Sequence, residues 1–186
     1  MSYYTVRGIL SRGMPILFFT SVLGVVTGQI LNSELDNLIS LPTILLLVPA
    51  LIKIGGDTGS ILGARLSSAF HMGIGTTHIH KNPVVRNSVI AAFIVGITAS
   101  VILSVIAWMM SGFGNSPLGL FTLFKICTIS GTLELLAVFS ATIGIAFASH
   151  RFGIDPDDTV IPVIATLGDL VGITAIFSTL YLFNVI

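Results

Sequence analysis

A chain of 186 residues with 54% apolar and only 9% charged residues is not an ordinary soluble domain, in which roughly a quarter of residues carry charge. The mean hydropathy of +1.03 points to a membrane, and the zero net charge excludes bulk attraction to nucleic acid. The single cysteine, Cys127, lies in an apolar run and can form no intrachain disulfide.

The first apolar run, Met14 to Leu31, follows Arg7 and Arg12. Its 18 residues exceed the roughly 7–15 of a signal-peptide core, and no small-residue cleavage site follows, so it reads as a retained span. Four further runs extend from Leu38 to Ile54, Val84 to Met110, Pro117 to Ser149 and Thr159 to Ile186. Each approaches or exceeds the roughly 20 residues that cross a hydrocarbon core of about 30 Å. The expectation is an all-α membrane protein of five transmembrane helices, one domain over residues 1–186, in contact with a lipid bilayer. The second run is short, and Gly55-Gly56 either ends it or bends it into a continuing helix.

Loop charges predict orientation. Arg7 and Arg12 precede span one, Arg65, Lys81 and Arg86 separate spans two and three, and Arg151 separates spans four and five. The alternate connections hold Glu34 and Asp36, or no charge at all from Ser111 to Ser116. The positive-inside rule then places the amino terminus in the cytoplasm and the carboxyl terminus outside.

Small residues recur four apart at Gly24 and Gly28, at Gly96, Ser100 and Ser104, and at Ser140, Gly144 and Ala148. Such stripes predict close helix packing. The stretch PALIKIGGDTGSILGARLSS, from Pro49 to Ser68, carries a stricter one: Gly55, Gly59, Gly63 and Ser67. If helical, that face is nearly free of side chains, open to another backbone or to a hydrated ion, with Asp57 and Arg65 close by. A break at the glycine pair would instead aim backbone carbonyls at a cation. A third alternative is a cytoplasmic hairpin with an interfacial helix.

The last run holds the residue that most demands explanation. Asp169 lies deep in apolar sequence, where a charge costs about 2.5–3.5 kcal/mol at a membrane centre. Pro162, Thr166, Asp169 and Ile173 share one helical face, and Ala165 and Gly172 leave room beside the carboxylate. Pro162 frees a carbonyl one turn before it, another oxygen for a cation. Asp155, Asp157 and Asp158 crowd the entrance. Asp155 precedes Asp169 by about 21 Å on nearly the same face, a mouth and an interior for a cation path. The structural alternative is an Asp169 neutralised by a neighbouring helix, with Lys125 the candidate.

Glu134, in span four, is the second intramembrane carboxylate. Lys125 stands nine residues away on the same helix, about 13 Å, too far for a salt bridge. Glu134 therefore joins Asp169 in a path or binds a backbone group. His71, His78 and His80 fall in one expected loop, where no carboxylate or cysteine stands nearby in sequence to complete a zinc set. They read as solvated histidines. The intramembrane candidates are all oxygens, which suits a hard cation. No nucleotide loop, catalytic triad or zinc-protease helix is present, so an enzyme is not expected.

Two stretches together, PALIKIGGDTGSILGARLSS and DPDDTVIPVIATLGDLVG, resemble the membrane domain of the MgtE magnesium channels and, more closely, the related eukaryotic solute-carrier magnesium transporters. The matching residues are Pro49 with Gly55-Gly56-Asp57, then Asp155-Pro156, Pro162, Thr166, Asp169 and Gly172. The resemblance covers all five spans. Asp57 stands where the bacterial channels usually carry Asn, Leu62 to Arg65 departs from their Gln-containing continuation, and nothing matches their cytoplasmic sensor region.

The resemblance implies a parallel dimer, of identical or paralogous chains, with a central pathway in which Asp169 binds hydrated Mg²⁺. With Asp155, Asp57, Thr166 and Glu134 it makes up the candidate metal set, and Mg²⁺ is the transported ion. The rival expectations are transport of another cation such as Co²⁺, a Na⁺-coupled exchanger, and a membrane assembly subunit that transports nothing.

Overall fold

The computed structural model describes residues 5–73, 83–112 and 118–186. His78, His80, Lys81 and Pro117 lie outside the described residues, as does the side chain of Arg12. The described residues form six helices, in order α1 (Val6–Ser33), α2 (Leu35–Ser40), α3 (Pro42–His71), α4 (Pro83–Ser111), α5 (Leu120–Arg151) and α6 (Pro156–Leu182). All but the short α2 are long and apolar enough to cross a membrane. Among the described residues there is no strand.

The second span differs from its expected limits at both ends. Leu38 to Ser40 belong to α2, and the chain turns at Leu41, with φ −125° and ψ 74°, before Pro42 opens α3. Proline fits there because the first helical turn needs no N–H from it. At the other end α3 does not stop at Ile54. It runs unbroken through Gly55-Gly56 to His71, so neither the helix break nor the hairpin forms. Both glycines are buried, and tertiary packing outweighs their low helix propensity of about 1 kcal/mol each.

Among the described residues α3 is the central helix, touching α2, α4, α5 and α6, while α1 packs on α2 and α6. The core divides into two apolar clusters. One gathers Leu47 and Leu51 of α3, Leu123 and Ile126 of α5, and Ile173 and Ile176 of α6. The other gathers Leu62 and Leu66 of α3, Leu135 and Val138 of α5, and Val160 and Ile164 of α6. Between them each helix contributes small or polar residues: Gly55, Gly56 and Gly59, then Ser130, Gly131 and Glu134, then Gly168 and Gly172. All of these are buried.

The small-residue stripes divide in the same way. Gly96 and Ser100 of α4 take Leu135 and Gly131 of α5 against them, whereas Gly24, Gly28 and Gly144 have no neighbour near an added Cβ. Phe18 and Val25 of α1 and Ile94 and Val95 of α4 face outward, an apolar exterior suited to lipid.

Gly153, at φ +68°, reverses the chain between α5 and α6 and delivers Asp155 to the start of α6. Asp155 caps that helix: its Oδ1 accepts the Asp157 N–H at 3.0 Å. Asp157 and Asp158 fill the first turn, where acidic groups favour the helix dipole. Part of the acidic crowding at this entrance is therefore helix capping.

Candidate functional site

The face of α3 at Gly55, Gly59 and Gly63 receives neighbouring helices of the same chain, not open space. A Cβ at Gly59 would meet Ile164 at 2.8 Å, and one at Gly63 would meet Val160 at 2.6 Å. Gly56 lies against the backbone of Ala165, with its carbonyl oxygen 3.1 Å from where a Cβ would stand. Side chains of α5 and α6 fill the stripe itself, and another backbone comes close only at the adjacent Gly56.

The room expected beside Asp169 is likewise filled. A Cβ at Gly172 would lie 2.9 Å from both Glu134 Oε1 and Ile52 Cα. Glu134 reaches from α5 into a slot that only Gly55 and Gly172 leave, and the Gly55 N–H donates to its Oε1 at 3.1 Å. It is 1% exposed. Of its two expected roles, contact with a backbone group is the one visible here.

Asp169 sits at the midpoint of α6, half-buried on the outer edge of the α3–α6 seam. Its partner is Lys53 of α3, whose Nζ donates to Oδ1 at 3.0 Å. Lys125 does not take that place. Its ammonium lies over the ring of Phe121, 4.4 Å from the centroid, and 5.8 Å from that of Phe183. Lys53 is the residue sequence reading missed. An apolar run ending at Ile54 puts this lysine at a membrane edge, where a long stem carries the charge to water. The continuation of α3 to His71 puts it well inside the helix instead, alongside Asp169.

Asp57, four residues after Lys53 on the same helix, is also exposed, so a charged strip runs along the outer side of α3 beside α6. Thr166 is half-buried one turn before Asp169, its hydroxyl donating to the Pro162 carbonyl at 3.0 Å. Its oxygen retains a lone pair for a water or an ion.

At the α3 carboxyl end and the α6 amino end stands a second group. His71 Nε2 lies 3.4 Å from Asp155 Oδ1, and His71, Asp155 and Asp157 can each offer an atom within 4.8 Å of the others. His71 is thus the last residue of a membrane helix with carboxylates at hand, not an isolated loop histidine. Sequence distance hid this, since 84 positions separate His71 from Asp155 (155 less 71).

Residues 48–179 match the MgtE family, described as "Divalent cation transporter". Among curated proteins, the chain is 27% identical to solute carrier family 41 member 2 of Gallus gallus over 173 residues, covering 88% of this chain and 30% of that protein. The human member 2 is 26% identical over 174 residues, again covering 88% and 30%. Member 3 of Rattus norvegicus is 23% identical over 176 residues, covering 90% of this chain and 38% of its own length. The chain thus spans about a third of the length of these relatives.

Proposed function

Since this multi-pass membrane protein belongs to the MgtE family of divalent cation transporters, we propose that it moves Mg²⁺ across the bilayer past Asp169. The observation that carries the reading is the position of that carboxylate. Asp169 is a half-buried acid at the midpoint of a spanning helix, on an outer seam instead of inside the bundle. A group so placed reaches a water-filled path as soon as a second copy covers the seam. The path would lie between two identical or paralogous chains, each contributing one Asp169.

Mg²⁺ sheds its water reluctantly and is held by few carboxylates together with retained waters. One Asp169 per chain, with Thr166 a turn away, provides sparse oxygen contacts of that kind. Asp155, about 21 Å along α6, would receive the ion at the mouth, with Asp57 on the strip between. Glu134, withdrawn from water behind Gly55 and Gly172, would position the seam that presents Asp169. With the amino terminus in the cytoplasm, Asp155 faces the cytoplasm and Asp169 the membrane interior.

The test is Mg²⁺ flux into liposomes carrying the purified chain, wild type beside Asp169→Asn, with dimer content measured for both. Flux lost in an intact dimer supports the pathway role. Wild-type flux in the variant overturns it, and a disrupted dimer points to an assembly role for the acid.

A second reading has one observation in its favour. The imidazole of His71 beside Asp155 and Asp157 is a ligand type that suits transition dications better than Mg²⁺. Co²⁺ flux faster than Mg²⁺ flux, and reduced selectively by His71→Ala, would favour that cargo.

A further inference from the structure

We propose that Lys53 is a tethered competitor cation: its ammonium holds Asp169 while no dication is bound, leaves when one arrives, and so sets affinity and selectivity. The inference rests on Asp169 as the pathway carboxylate. It adds a residue that the candidate metal set lacks.

The geometry supplies the argument. Lys53 Nζ lies 3.0 Å from Asp169 Oδ1, at direct charge-assisted hydrogen-bond distance. A dication at the same carboxylate, even through one shell of water, would stand within a few ångströms of the ammonium. Two positive centres that close repel strongly away from bulk water, so they exclude each other. Lys53 has somewhere to go: its side chain is 55% exposed in the single chain, beside Asp169 on the seam that would border the path, and it has a flexible four-carbon stem. The strip along α3 offers Asp57 one turn on as a resting place. Departure breaks one hydrogen bond and one ion pair, with no proton transfer.

The same arrangement discriminates by charge. A monovalent ion offers Asp169 one positive charge, which Lys53 already supplies at the high effective concentration of a tether. A dication brings twice the Coulomb attraction and can displace it. Lys53 thus raises the concentration of dication needed and keeps Na⁺ and K⁺ off the carboxylate. It also returns to Asp169 as the ion leaves, which promotes release.

The experiment is Mg²⁺ flux against concentration in liposomes carrying the whole chain, for wild type, Lys53→Gln, Lys53→Arg and Asp169→Asn, each with and without excess Na⁺. Lys53→Gln should lower the half-saturating Mg²⁺ concentration about tenfold, the scale of one charge–charge contact at a half-exposed site. It should also become sensitive to inhibition by Na⁺, while Lys53→Arg stays near wild type. An unchanged or higher half-saturation in Lys53→Gln, together with indifference to Na⁺, overturns the proposal.

The Asp169→Asn arm separates the two ideas. Wild-type flux there removes the pathway carboxylate itself, whereas lost flux there beside an unaltered Lys53→Gln removes only the competitor role. Should Lys53→Gln fail to insert, the wild-type protein still decides the matter. Acylation of Lys53 by a water-soluble amine reagent should rise when Mg²⁺ is added, and equal labelling with and without Mg²⁺ overturns the proposal.

Discussion

Gly168 of α6 and Gly56 of α3 meet backbone to backbone: a Cβ at Gly168 would stand 2.6 Å from the Gly56 nitrogen, closer than real Cβ atoms come. Main chain cannot swing aside as a flexible side chain can. This contact sets the spacing of the two helices that carry Lys53 and Asp169, and so links packing to the candidate path.

Gly168→Ala should therefore force α3 and α6 apart. Overpacking of this kind costs about 1–3 kcal/mol. The thermal midpoint in detergent should fall, and Mg²⁺ flux should fall with it. Gly144→Ala is the control, because nothing lies within 4 Å of an added Cβ there. Alanine at Gly144 should leave the midpoint unchanged or raise it slightly, by up to about 1 kcal/mol of helix propensity. Equal midpoints for the two variants would contradict the close approach.

Glu134 separates shape from charge. Glu134→Gln keeps an oxygen to accept the Gly55 N–H and nearly the same volume, so its stability should stay within about 1 kcal/mol of wild type. Glu134→Ala empties the slot between Gly55 and Gly172 and removes the acceptor, with an expected loss of about 2–4 kcal/mol. Chemical or thermal unfolding in detergent reads both. If the alanine variant proves as stable as the glutamine one, Glu134 does not brace this seam.

Much of this architecture was legible in the chain, and what was not has physical causes. Hydropathy marks spans because the bilayer demands about 20 apolar residues in a row, and Asp169 stands out because charge is so disfavoured there. The fate of Gly55-Gly56 is not legible in the sequence, since local propensity favours a break while the pair packs against Glu134, Ala165 and Gly168 from distant parts of the chain. Lys53 was lost with that boundary. The placement of His71 followed it, because a helix ending near Ile54 leaves His71 in a loop while one ending at His71 brings it to Asp155. The glycine stripe reads as a bare face in sequence, but spacing alone does not tell that side chains of α5 and α6 fill it.

Tyr181 ties the far end of α6 to the turn after α1. Its hydroxyl lies 2.8 Å from each oxygen of Glu34, and among the described helices α1 packs on α2 and α6. Tyr181→Phe should loosen that corner at small cost, about 0.5–1.5 kcal/mol for an exposed hydrogen bond. The readout is hydrogen exchange by mass spectrometry: faster exchange confined to the end of α1 and α2, with α3 and α5 unchanged. Unaltered exchange at Glu34 to Ser40 would show that apolar packing alone anchors α1.

Asp155 caps α6 and, in the proposed pathway, forms its mouth; substitutions can divide the two. Its Oδ1 caps α6 through the Asp157 N–H, which asparagine can also do, whereas alanine cannot. Asp155→Asn should therefore hold stability near wild type, and Asp155→Ala should lose about 1 kcal/mol. Only the charge is missing from the asparagine variant, so a change in its transport reports on the mouth. We expect Mg²⁺ uptake from Asp155→Asn to fall at low ion concentration and to approach wild type at saturation, since a mouth carboxylate concentrates the ion without gating the interior. The difference should shrink at higher ionic strength, where screening weakens the Asp155 charge at this end of α6. A concentration dependence identical to wild type would leave Asp155 as a helix cap alone.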